Sequence, residues 1–377
     1  MNFDFSDEQK MLRDQARTFL NEKSPLSVAR RVLEGEEARD ENLWQEMVTM
    51  GWTATHIPEE YGGIGLGYLE LCVIAEELGR SLAPVPFSSS VYLATEGLLL
   101  AATPAQKEQY LPGLADGSLV GTLALAETAG SLRPDRISTT IRDGRLRGHK
   151  VMVPDGDYAD FSLVLARDDE GALAMVVVDL KDASVNRQPM KTIDPARSHA
   201  RILFDDTPCV PLGKKGEGMT LAENILDRAS VLFAFEQVGG SEAALQMAKT
   251  YALERYTFGR PVASYQAIKH KLARMYVAAT LAKSNAYYAA WALSTSAPEL
   301  PVASAAARVS AIKAYKECSE ENIQTHGGNG FTWEFDCHLF YRRAKLLSVN
   351  TGSERAWKHK LINRLEAAGA HENTAAW

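Results

Sequence analysis

Apolar positions change their spacing twice along the chain, and the changes mark three stretches. In the first, Ser6-Asp7-Glu8-Gln9 has the form of a capping box, and Met11, Leu12, Ala16, Phe19 and Leu20 follow on one helical face. A second helix is expected to end near Gly51, and the glycine-rich run Ile57–Gly67 feeds a third over Tyr68–Arg80. Helical spacing continues through Ala105–Leu111 and closes near Gly117. The second stretch holds short segments rich in Val, Ile and Leu: Val120–Ala126, Arg145–Val153, Phe161–Ala166, Leu173–Leu180 and Arg201–Phe204. Turn residues such as Asp143-Gly144, Asp155-Gly156 and Glu170-Gly171 separate them, so strands are predicted. From Gly213 onward long helical periodicity returns, consistent with an antiparallel bundle. The fold class read from this pattern is α+β. It has an N-terminal all-α domain (1–117), a small middle β domain of barrel or sandwich type (118–212) and a C-terminal antiparallel four-helix bundle (213–377).

Two of the bundle's helices meet at Arg255-Tyr-Thr-Phe258-Gly259-Arg260-Pro261, with Gln266 shortly after. Gly259 and Pro261 stop helices, and so short a connection returns the chain antiparallel, holding Arg255, Phe258 and Gln266 near one another. A guanidinium offers a planar fork of donors that suits a phosphate, and an aromatic ring can lie against a flavin or adenine. The plainer alternative is a surface Arg at a helix C-terminus beside a buried Phe. Further on, Gln324-Thr-His326-Gly327-Gly328-Asn-Gly330-Phe331 places glycines where backbone N–H groups can approach a ligand closely.

Taken together and in this order, Arg-x-x-Phe-Gly…Gln-Ala-Ile and Gln-x-x-Gly-Gly-x-Gly-Phe resemble the C-terminal half of the acyl-CoA dehydrogenase family. The resemblance extends over most of the chain, including the loop Pro58-Glu59-Glu60-Tyr61-Gly62-Gly63 before Glu76-Glu77-Leu78-Gly79. It implies FAD as cofactor, held without a Rossmann fold, since no GxGxxG follows any predicted strand. It further implies an acyl-CoA substrate, an electron-transferring flavoprotein as acceptor and a homo- or hetero-oligomer. In the family, Arg255, Phe258, Gln266, Gln324, Gly327 and Gly328 would reach into a neighbour's flavin site. Ser131 would belong to the chain's own site, and Asp227 would contact the coenzyme A arm.

Composition narrows this little. A net charge of −7 leaves no basic footprint for nucleic acid. The apolar run Leu98–Ala102 is too short to span a bilayer, and four cysteines without a CxxC pair suggest no disulfide framework. A reducing cytoplasm is the expected compartment.

Departures from the family pattern carry more information. Its Thr-Glu-Pro-x-x-Gly-Ser-Asp signature is here Ala126-Glu127-Thr128-Ala129-Gly130-Ser131-Leu132. Its Gly-x-Lys-x-Trp-Ile-Thr-Asn is Gly148-His149-Lys150-Val151-Met152-Val153-Pro154-Asp155, with Met152 for Trp and Pro154 for the hydroxyl residue. The family's catalytic Glu would fall at Thr351, or in other members at Ala229, and neither is a carboxylate. Glu236 and Glu354 stand near enough in sequence to serve as a displaced base, Glu236 if semi-buried with a raised pKa and Glu354 unless it is a solvated charge. Two functions follow. The chain is a dehydrogenase with a relocated base, or it is the base-less partner subunit of a heteromeric enzyme, completing the FAD site of a catalytic paralogue. A third is other flavin chemistry on a thioester. The small residues Gly239, Gly240, Ser241, Ala243 and Ala244 would leave room for a bulky acyl group or serve close helix packing.

Overall fold

The computed structural model describes residues 5–35, 37–130 and 132–374; Ser131 lies outside them. Six helices come first: α1 (Asp7–Lys23), α2 (Leu26–Glu34), α3 (Glu41–Thr49), α4 (Tyr68–Ser81), α5 (Glu96–Ala101) and α6 (Pro104–Ala115). The strands are β1 (Gly121–Ala124), β2 (Thr140–Arg142), β3 (Arg145–Pro154), β4 (Phe161–Arg167), β5 (Leu173–Asp179), β6 (Val185–Pro189), β7 (His199–Pro208) and β8 (Val210–Leu212). Then α7 (Gly218–Glu254), the short strands β9 (Tyr256–Thr257) and β10 (Arg260–Pro261), α8 (Gln266–Ser294), α9 (Leu300–His326), α10 (Cys337–Leu347) and α11 (Glu354–Thr374) complete the chain.

Contacts gather these elements into two compact units. The first comprises the described residues up to Arg30, Tyr68–Ala83 and those from Ser230 onward. The second comprises Arg31–Gly67 and Pro84–Ala229, so the helices before Gly117 are shared between the units and α7 runs from one to the other. No helix among the described residues is long and apolar enough to cross a membrane.

In the first unit, α1 opens on the predicted capping box. Ser6 Oγ accepts from Gln9 N, and Gln9 Oε1 accepts from Ser6 N at 2.9 Å. Helices α4 and α7 touch through their backbones. A Cβ added at Gly79 would lie 1.8 Å from the Glu236 carbonyl oxygen, and one at Gly239 would lie 1.8 Å from that of Glu76. Gly240 lies against the Tyr315 ring, leaving no room for a Cβ there either. Of the two uses open to this run of small residues, close helix packing is the one realised at Gly239 and Gly240. Beyond it, α9 carries Ala305 and Ile312 against the buried Trp357 of α11.

In the second unit the strands form one eight-stranded mixed sheet, ordered β6–β7–β3–β2–β4–β5–β8 with β1 parallel to β4. β4 is buried along its length up to Ala166, because strands flank it and both its faces are covered. β2, β6 and β8 were not predicted. β2 and β8 are three residues long, and β6, Val-Asn-Arg-Gln-Pro, is a polar edge strand without apolar alternation. Before α5, Ser88–Thr95 winds as a fully buried π-helical segment, a wide coil that hydrophobic periodicity does not reveal.

Candidate functional site

The connection between α7 and α8 is a β-hairpin projecting from the first unit. Thr257 pairs with Arg260 and Tyr256 with Pro261, and Val262 N–H donates to Arg255 O at 2.8 Å. The central residues Phe258 and Gly259 have φ of +51° and +78°, the sign that a primed two-residue turn requires. An aromatic residue in this region is strained, and Phe258 is also 93% exposed. The buried Phe of the plainer sequence reading is therefore not what the chain builds, because its ring sits exposed at a turn tip. Arg255 is exposed too, and its guanidinium has no hydrogen-bond or ion-pair partner among the described residues.

The glycine-rich stretch lies at the same end of the bundle. Tyr251 of α7 stacks on His326 of α9 with ring centroids 4.0 Å apart, and Asn329 Nδ2 donates to the Tyr251 hydroxyl at 3.2 Å. That contact joins the turn before Arg255 to the residues after Gln324. Gln266 and Gln324 are exposed. Gly327 ends α9 at φ +60°, ψ −133°, a conformation open essentially to glycine alone. A Cβ at Gly328 would meet nothing within 4 Å, so the fold's own packing does not require glycine there. An unpaired guanidinium, a bare aromatic ring, two amide side chains and an open glycine backbone fit a phosphate-linked aromatic cofactor approaching from outside the chain.

The second unit holds the altered family signatures. Glu127 and Lys150 form a buried ion pair, Oε1 to Nζ 2.8 Å, and Lys150 also donates to Leu125 O at 3.1 Å. Ser138 N and Thr139 N donate to the two Glu127 oxygens at 2.7 and 3.0 Å. Burial pushes the Glu127 carboxyl up, but the Lys150 ammonium and the Ser138 donors outweigh it and hold the group at about 2. Burial in turn pulls Lys150 down to about 8 against the attraction of Glu127. Between Lys150 and Val153 the register with β7 slips, and Met152 turns outward at φ +53°, 42% exposed. The residue at the family's Trp position is thus presented by a bulge rather than by regular strand. Asp227 is buried, 5% exposed, so the carboxylate assigned to the coenzyme arm is covered in this conformation.

None of the carboxylates considered as a displaced base is placed to act freely. Ala229 is fully buried and Thr351 is half-buried in the loop after α10. Glu236 is fully rather than semi-buried, with Oε1 3.7 Å from Arg343 Nη1, so it serves as a paired interior charge. Glu354 opens α11 and pairs with Lys358 at 2.5 Å, one turn on, as a charge at a helix N-terminus does.

Sequence reading missed the buried polar groups of the first unit. Arg308, 0% exposed, donates from Nη1 to Gln237 Oε1 at 2.5 Å and from Nη2 to Asn350 Oδ1 at 2.7 Å and to Leu347 O. Glu76, pushed up by burial, bonds Lys283 at 2.8 Å, and Lys283 bonds Glu242 at 3.0 Å. Arg308 had one visible signal, a lone charge directly after Ala305-Ala306-Ala307 in an otherwise small, apolar helix face.

Comparisons with known proteins agree with this layout. The family descriptions "Acyl-CoA dehydrogenase, N-terminal domain" and "Acyl-CoA dehydrogenase, C-terminal domain" match residues 6–118 and 216–364. Acyl-CoA dehydrogenase IpdE2 of Mycobacterium tuberculosis is 33% identical over 339 residues, covering 90% of this chain and 91% of that protein. A solved variant of the Tcur3481-Tcur3483 steroid ACAD superposes with a TM-score of 0.88 at 27% identity, covering 97% of this chain and 99% of that one. An acyl-CoA dehydrogenase complexed with FAD from Bacillus anthracis gives 0.89 at 25% identity, over 98% and 68%.

Proposed function

The chain belongs to the acyl-CoA dehydrogenase family, and from that premise we propose that it is a FAD-dependent oxidoreductase for the α,β-dehydrogenation of an acyl-CoA thioester. When bound, the flavin supplies the hydride acceptor for the β-hydrogen. The observation that carries the cofactor assignment is the exposed set at the bundle end. Arg255 is free to fork onto a phosphate, Phe258 offers a ring, and the backbone at Gly327 and Gly328 is open to close approach. Gln266 and Gln324 add neutral donors and acceptors beside them. All of these groups are exposed, as groups that complete a site on a neighbouring subunit must be.

A second reading draws on the missing base. An α-proton of a thioester is weakly acidic and needs an oriented base. Thr351 and Ala229 cannot supply one, Glu236 is fully buried 3.7 Å from the Arg343 guanidinium, and Glu354 pairs with Lys358 one helical turn on. This favours a partner subunit that completes the flavin site of a base-bearing paralogue, with the substrate drawn from fatty-acid or steroid side-chain oxidation and an electron-transferring flavoprotein as acceptor. The paired designation of the Tcur3481-Tcur3483 steroid enzyme is in keeping with it.

Anaerobic mixing with acyl-CoA tests both readings. Bleaching of the flavin band by this chain alone supports a self-sufficient dehydrogenase. Bleaching only after a base-carrying paralogue is added supports the partner role. A loaded assembly whose band no acyl-CoA changes overturns the reaction itself.

A further inference from the structure

We propose that Arg308 is a positioning residue: it fixes the loop between α10 and α11, and with it the place of Thr351, acting through Asn350. The inference rests on the functional reading above, because the family resemblance is what marks residue 351 as the base position. The geometry is specific. The two hydrogens of Arg308 Nη2 go to Leu347 O, at the end of α10, and to Asn350 Oδ1 at 2.7 Å. Asn350 Oδ1 also accepts Thr351 N–H at 3.0 Å, so one oxygen ties the buried cation to the backbone of the residue in question. Nη1 anchors the other side of the guanidinium to Gln237 on α7.

Helix α9 also backs the loop through Trp357 of α11. Gly352, at φ +115°, lies so close to Trp357 that an added Cβ would be 3.3 Å from its indole nitrogen. Trp357 packs in turn on Ala305 and Ile312, which flank Arg308 on α9. Burial pulls the Arg308 pKa down to about 9 while the Glu236 charge pushes it up, so the loop is held by bonds from a cation that has lost its water. An ammonium could not replace it, since only the planar fork reaches Leu347 O, Asn350 and Gln237 together. The loop at the family's base position is therefore held in place although residue 351 is a threonine.

The test is amide hydrogen exchange on the full-length protein as purified, in wild type and in N350A, N350D and R308K. The amides to follow are Val349, Asn350 and Gly352, whose own acceptors are the backbone carbonyls of Leu346 and Val349. Losing one side-chain bond does not by itself deprotect them; loosening the whole loop does. N350A and R308K should exchange roughly tenfold faster at these three amides, while the rest of α9 is unchanged. N350D should stay protected, because its carboxylate oxygen still accepts from Arg308 and from Thr351. Wild-type exchange in N350A, or N350D behaving like N350A, overturns the proposal. Flavin content is read on the same samples. Wild-type protein that holds no flavin, alone or with a paralogue, would strike the functional reading and leave the tether standing.

Discussion

Arg255 and Glu127 show what a single charge does in two opposite settings. Arg255 is exposed and has no partner among the described residues, so its guanidinium contributes nothing visible to the fold and is available to a ligand. Arg255→Ala should weaken flavin retention by about 1.5–3 kcal/mol, the worth of a charge-assisted bond, with the thermal midpoint of the flavin-free protein unchanged. FAD content equal to wild type would remove Arg255 from the site. Glu127 is the reverse, a charge whose whole value is internal. E127Q leaves the Lys150 ammonium buried without its counter-charge and should cost about 3–5 kcal/mol in urea denaturation. The pH dependence follows from the sign of the shift. A carboxyl held at about 2 when folded and near ~4.3 when unfolded stabilises the fold above the unfolded value. That contribution drains away as pH falls from the unfolded value to about 2, so wild type and E127Q should converge in stability across that window. A gap that stays constant there would mean the pair is not what holds the strand.

Between elements, the closest constraint is the crossing of α4 and α7 through Gly79 and Gly239. Gly239→Ala puts a methyl against the Glu76 carbonyl, a rigid backbone atom, and should destabilise by about 3 kcal/mol or more. Ala243→Ser on the same helix, half-buried, should change stability by less than about 0.5 kcal/mol. Equal effects would mean that the two helices yield easily. This is also where legibility in the sequence ends. Periodicity and caps located α1, α4, the long bundle helices and five strands, because each of those buries one face or obeys a local stop signal. They did not locate β2, β6 or β8, whose pairing comes from neighbours rather than from their own composition, nor the π-helical turn at Ser88–Thr95. They placed Arg255, Phe258 and Gln266 about the connection of α7 and α8, yet could not show that this connection is a β-hairpin with Phe258 exposed on its strained turn and Gln266 beyond it at the start of α8. Arg308, Gln237 and Asn350 were invisible as a group, since residues separated by 71 and 42 positions meet only through tertiary packing.

On the proposed reading, this acyl-CoA dehydrogenase chain carries the exposed groups that would reach a neighbouring flavin and departs from the family pattern at its own flavin wall and base position. Met152 on its bulge, Pro154 at the end of β3 and Thr351 in a tethered loop belong to the second set. Arg255, Phe258, Gln324 and the open glycines belong to the first. If the outward set is what the chain contributes, then flavin binding should follow assembly rather than the isolated subunit. The visible absorption spectrum, with the flavin-to-chain ratio, decides this directly on protein purified alone and again after mixing with a base-bearing paralogue. FAD bound in at least one of the two states, and lost from it on Arg255→Ala, is the predicted result. One flavin per chain in isolation would assign the chain a site of its own, and flavin only in the mixture would assign it the partner role. Absence of flavin from both would contradict the account.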